Sequence, residues 1–115
     1  MVKNIDLNYK ILRKDKGDIM DNTNLIILYD YYGELLTLRE KEYFESYYFD
    51  NLSLSEISNN LNVSRNAISK SLKTIKEKLN TFEEKLKLYE KDKKLKKIIK
   101  IVKDKTILEM LKELE

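Results

Sequence analysis

The chain has 115 residues, of which 37% are charged, with 23 Lys and Arg against 20 Asp and Glu, and it contains no Cys, His, Pro or Trp. That is one domain, or one small domain with an appendage. It excludes disulfides, a Cys/His zinc site, a cysteine nucleophile and a histidine base. With no Pro and two Gly there is little punctuation for β-hairpins. No apolar run approaches the 18 or so residues of a membrane span. No signal-peptide core is visible, so the reading is cytoplasmic.

The small net charge of +3 hides an uneven distribution. Residues 23–62 carry a net −5, residues 63–80 a net +4 and residues 91–105 a net +6. Such asymmetry points to a polyanionic partner, or else marks solvated helix faces.

Residues 1–22 have no sustained period and read as an N-terminal arm. Lys16-Gly17-Asp18-Ile19-Met20 back-translates to a purine-rich ribosome-binding site just before an ATG. The two readings are a true start at Met20 and a genuine arm.

A helix-turn-helix domain is expected over 23–90. Asn22 or Thr23 is placed to cap a first helix carrying Leu25, Ile26, Leu28, Tyr29, Tyr32, Leu35 and Leu36. Thr37-Leu38-Arg39-Glu40 has the form of a capping box. The second helix shows Tyr43, Phe44, Tyr47 and Tyr48 on one face and ends near Asp50-Asn51. Ser53-Leu54-Ser55-Glu56 is a second capping box and opens a short third helix with Ile57 and Leu61 inward. Asn62 suits a left-handed stop, and Ser64 caps a fourth helix. That helix is expected to run unbroken from about 65 to near 88. Its apolar seam is Ile68, Leu72, Ile75, Leu79, Phe82, Leu86 and Tyr89, about three heptads. The part beyond the domain, Leu79, Phe82, Leu86 and Tyr89, is covered either by C-terminal helices folding back or by a second chain, with a homodimer favoured. Residues 91–115 form a lysine-rich helical tail, its last helix starting at Asp104 or Thr106.

Residues 53–75 therefore read as a helix-turn-helix, with Ser58 small at the crossing and Val63 plugging the core from the turn. The outward face of the second of these helices holds Arg65, Asn66, Ser69, Lys70, Lys73 and Lys76, types that bind phosphate or base edges. Ser64 would aim the helix's first amides at a phosphate. The alternative is a tri-helical fold that keeps the shape without nucleic-acid binding.

Four blocks carry a family resemblance: L-Y-D-Y-Y-G-E-L-L-T at 28–37, Y-F-E-S-Y-Y at 43–48 with L-S-L-S-E-I at 52–57, N-V-S-R-N-A-I at 62–68, and E-E-K-L-K-L-Y-E-K at 83–91. In order and spacing they resemble the YlxM family. The resemblance implies an all-α helix-turn-helix fold similar to region 4 of sigma factors, within the winged-helix-like superfamily, with a long recognition helix and a C-terminal helical extension. It also implies a link to the signal recognition particle pathway. Where the family commonly has a tyrosine and an aspartate, this chain has Ser69 and Lys70, which makes the presumed recognition face more basic.

Eight tyrosines are many for this length. They either pack in the core with hydroxyls at its rim or stack on unpaired RNA bases; the acidic surroundings favour the core, leaving Tyr31 for a protein partner. Two functions compete. One is a regulatory protein binding DNA or the particle's RNA through Ser64, Arg65, Asn66, Ser69, Lys70, Lys73 and Lys76. The other is an adaptor of the particle GTPase, docking by the acidic, aromatic first two helices, with a vestigial nucleic-acid surface. An enzyme is not expected: no glycine-rich phosphate loop or catalytic carboxylate pair is present. No cofactor and no metal are implied.

Overall fold

The computed structural model describes residues 19–115, which fold into six α-helices with no strand among the described residues. They are α1 (Ile19–Tyr32), α2 (Leu38–Phe44), α3 (Leu54–Leu61), α4 (Arg65–Leu86), α5 (Leu88–Ile101) and α6 (Lys105–Lys112). The proposed start at Met20 concerns residues that lie mostly outside those described. Helix α1 begins at Ile19, ahead of Asn22 and Thr23, so neither of these opens it as expected.

Helix α1 is the central core element. Leu25, Leu28, Tyr29 and Tyr32 are buried at spacings of three, one and three, and Ile26 is buried as well. A 3₁₀ turn, Gly33–Leu35, closes it. A Cβ at Gly33 would stand 3.1 Å from Cζ of the Tyr29 ring. That ring stacks on Phe44 at 4.2 Å, and its hydroxyl donates to the Glu45 carboxylate, so glycine suits the close approach.

Both capping boxes form. The Thr37 hydroxyl accepts from the Glu40 N–H while the Glu40 carboxylate accepts from the Thr37 N–H, and Ser53 and Glu56 do the same. The second helical run ends near Asp50-Asn51 as expected, but α2 itself stops at Phe44. The run then widens into a π-helical turn, Glu45–Phe49, in which the Asp50 N–H donates to the Glu45 carbonyl at 2.9 Å. The turn sets Phe49 edge-on to both Tyr29 and Phe44. Asn51, at φ 60°, ends the run.

Asn62 is left-handed as expected, at φ 56° and ψ 45°. Ser58 does more than allow a close crossing: its hydroxyl donates to the Val63 carbonyl at 2.5 Å and ties the turn down. Helix α4, about 33 Å long, is capped by Ser64, whose hydroxyl accepts from the Ala67 N–H at 3.1 Å. Helices α1, α2 and α3 all pack on it. Ile57, Ile68, Ile75 and Leu79 are fully buried, whereas Leu61 and Leu72 are only partly so.

The expected seam through Tyr89 is interrupted. Helix α4 ends at Lys87, which is left-handed at φ 56°, and Tyr89 lies on α5. Leu79 is buried within this chain, Phe82 packs beside Tyr32, and Tyr89 packs beside Tyr31. Helix α1 thus supplies much of the cover for which a second chain was considered, and Leu86 alone of these four stays exposed. Asp104 caps α6 by accepting from the Ile107 N–H. Neither α5 nor α6 has a buried residue. Leu88, Ile98, Ile101, Ile107 and Met110 are exposed along them, and Leu114 just past the end of α6.

Candidate nucleic-acid interface

With Ile68, Ile75 and Leu79 turned into the core, the 3.6-residue period puts Arg65, Asn66, Ser69, Lys70, Lys73 and Lys76 on the outer side of α4, and each is exposed. Ser64 is exposed at the helix's start, its hydroxyl spent on the cap. Arg65, Lys70 and Lys73 form no ion pair among the described residues. Lys78, further along, instead faces α2 and pairs with Glu40 at 2.6 Å. Burial works against the charge of Glu40, but the Lys78 ammonium and the Thr37 amide outweigh it and hold the carboxyl below its ordinary value.

Two shallow grooves run along this face. One, of about 380 Å³, is lined by Leu54, Ser64, Arg65, Asn66 and Ser69. The other, of about 240 Å³, is lined by Tyr47, Tyr48, Leu54, Ser69, Leu72, Lys73 and Lys76. They share Leu54 and Ser69, and among the described residues no carboxylate lines either. Of the candidate residues, Lys70 alone is outside both.

Tyr47, Tyr48 and Leu54 are the walls that reasoning from α4 alone missed. The acidic stretch around the two tyrosines argued against their meeting phosphate. In the fold, however, most of those carboxylates are engaged. Glu40 and Glu56 close capping boxes, Glu45 accepts from Tyr29, Glu34 pairs with Lys41, and Glu42 pairs with Arg39. The π-helical turn carries Tyr47 and Tyr48 to the basic side of α4. Three other tyrosines, Tyr29, Tyr32 and Tyr43, are core residues as expected. Tyr31 is not the free partner-seeking residue of the sequence reading, because its hydroxyl donates to Asp92 on α5.

Burial, reinforced by Glu45 for Tyr29 and by Asp92 for Tyr31, raises both phenols well above the ordinary tyrosine range. Burial and the Glu83 carboxylate push Tyr32 up to about 12. Burial first, and hydrogen bonds within the fold second, account for these shifts. No helix among the described residues is long and apolar enough to cross a membrane.

The chain is similar to a UPF0122 protein of Malacoplasma penetrans, with 44% identity over 96 residues, covering 84% of this chain and 90% of the relative. A UPF0122 protein of Ureaplasma urealyticum is 40% identical over 90 residues, or 78% of this chain and 91% of the relative. One from a Thermoanaerobacter species is 46% identical over 48 residues, 42% of this chain and 41% of the relative. A family model described as "Putative helix-turn-helix protein, YlxM / p13 like" matches residues 19–115, the same residues that form the six helices. With its left-handed Asn62 turn and its exposed basic α4 face, the chain belongs to this UPF0122 family of helix-turn-helix proteins.

Proposed function

We propose that this chain is a non-enzymatic regulatory protein of the cytoplasm that binds nucleic acid, DNA or signal recognition particle RNA, through the N-terminal half of α4. The observation that carries the reading is the exposed face of Arg65, Asn66, Ser69, Lys70 and Lys73, bordered by grooves that no carboxylate among the described residues lines. Lysine and arginine neutralise phosphates, Asn66 is able to read base edges, and the cap at Ser64 directs the first amides of α4 outward. The place in the particle pathway rests on the YlxM resemblance of residues 28–91.

Binding to duplex DNA and to particle RNA, titrated across salt, tests the proposal. Affinity should fall steeply with salt, and Lys73→Ala should flatten the logarithmic slope by about 0.9 on B-DNA. Asn66→Ala should instead change preference among sequences. No salt-dependent affinity for either nucleic acid refutes the reading.

A second reading is favoured by one specific observation, the exposed apolar residues of α5 and α6. An adaptor of the particle GTPase would dock there rather than on the acidic α1 and α2, whose tyrosines and carboxylates are largely engaged in the fold. A homodimer would use the same faces, since most of the seam at Leu79, Phe82 and Tyr89 is packed within one chain. Ile101→Glu, at the most exposed apolar residue of α5, should abolish either association while leaving nucleic-acid affinity intact.

A further inference from the structure

The two tyrosines beside α4 have no role in a reading based on the basic face alone. Tyr47 and Tyr48 lie edge to face, 5.0 Å apart, and Tyr48 is tilted on Phe44 at 4.5 Å, which anchors the pair in the core. Both are half-buried and wall the same groove as Lys73 and Lys76. Leu54 and Leu72 complete its apolar lining.

We propose that this groove binds an unpaired pyrimidine nucleotide of a single-stranded nucleic acid, with the base against the tyrosines and its phosphate on Lys73 and Lys76. The proposal rests on the nucleic-acid reading above and names the form of the ligand. This groove is the smaller of the two, about 240 Å³ against about 380 Å³. That suits one small base and not a second strand. Aromatic rings gain little from a duplex, whose bases already stack on one another, but gain a face when a base is splayed out. The adjoining groove, through the shared Leu54 and Ser69, sets Asn66 and Arg65 beside the next nucleotide. The lysines supply the phosphate contacts and the tyrosines supply selectivity for unpaired strands.

The test compares three probes at one salt concentration: oligo-uridine RNA, oligo-thymidine DNA and duplex DNA. Tyr47→Leu should weaken both single strands by about tenfold or more, and should leave duplex affinity, which the lysines carry, unchanged. Retained duplex affinity also shows that this variant folds. Tyr47→Trp should restore single-strand affinity and introduce the chain's one tryptophan. Its fluorescence should be quenched by the single strands and not by the duplex. Similar affinities for RNA and DNA mean that base and phosphate suffice; a clear preference for RNA places a 2′-hydroxyl in the groove, and either supports the site. Unchanged single-strand binding in Tyr47→Leu, with no quenching in Tyr47→Trp, overturns the base site while duplex binding keeps the parent reading. Failure of all three probes on the wild-type chain overturns both.

Discussion

The Tyr32 hydroxyl donates to the Glu83 carboxylate, and together the two residues cap a helix that belongs to neither of them. Lys87, in the N-cap position of α5, offers no side-chain hydrogen bond to that helix. Instead the Tyr32 oxygen accepts from the Leu88 N–H at 3.0 Å. The two Glu83 oxygens accept from the Tyr89 and Glu90 N–H groups at 3.1 and 3.0 Å. Three of the amides that a helix start leaves orphaned are thereby satisfied. A negative charge also sits at the positive end of α5. The arrangement fixes α5 to the α1–α4 core through a helix that has no buried residue of its own.

Glu83→Ala should therefore cost about 1–3 kcal/mol, the range for losing charge-assisted bonds and a cap. The loss should be local. Hydrogen exchange should quicken over the amides of α5, while those around Ile68 and Ile75 in α4 stay protected. Uniform loss of protection would mean that α5 and the core form one cooperative unit.

The core should be sensitive at positions ranked by burial rather than by seam position. Ile75 is fully buried and Leu72 only partly so, though both are on the inward side of α4. Ile75→Ala should cost about 2–5 kcal/mol in chemical denaturation. Leu72→Ala and Leu61→Ala should cost less, because part of each side chain already meets solvent. Equal costs at Ile75 and Leu72 would contradict this ranking.

What the sequence made legible was what residues three or four apart decide. The boxes at Thr37 and Ser53, the caps at Ser64 and Asp104 and the stop at Asn62 are local bonds, and each was readable from its own segment. The break at Lys87 was not, because no Gly or Pro marks it. The groups that stabilise the new helix start include Tyr32, 56 residues before the amide it serves. The site divides the same way. Its lysines and Asn66 follow from the period of α4. Tyr47 and Tyr48 reach it only because a π-helical turn and the packing of α2 on α4 bring them there.

Two left-handed residues should respond differently to glycine. Asn62 and Lys87 both have φ 56°. Asparagine tolerates that region and lysine is strained there, by about 1–2 kcal/mol for an ordinary L-residue. Glycine removes the strain but costs about 0.5–1 kcal/mol of chain entropy. Lys87→Gly should thus stabilise by up to about 1 kcal/mol, and Asn62→Gly should be close to neutral. Both are read from the midpoint of urea unfolding. A loss at Lys87 would mean that its side chain holds the α4–α5 junction by some contact stronger than the strain it carries.

Alkali should unfold this protein through its buried phenols. Tyr32 is fully buried and donates to Glu83, and its ionisation in the folded state is pushed up to about 12 from 10.0. Burial and carboxylate partners raise Tyr29 and Tyr31 in the same direction. A raised folded-state value means that the neutral phenol is favoured by folding. The stabilisation is complete below pH 10, where the unfolded chain is also neutral. It is lost as pH climbs through the folded value, since the unfolded chain then releases protons that the folded chain holds. Tyrosinate absorbance should include a late phase from Tyr29, Tyr31 and Tyr32. That phase should coincide with loss of helicity. Tyr32→Phe should remove part of that late phase and should also weaken α5, because the Leu88 amide loses its acceptor. A single smooth titration with helicity intact above pH 12 would show that these phenols ionise without leaving the core.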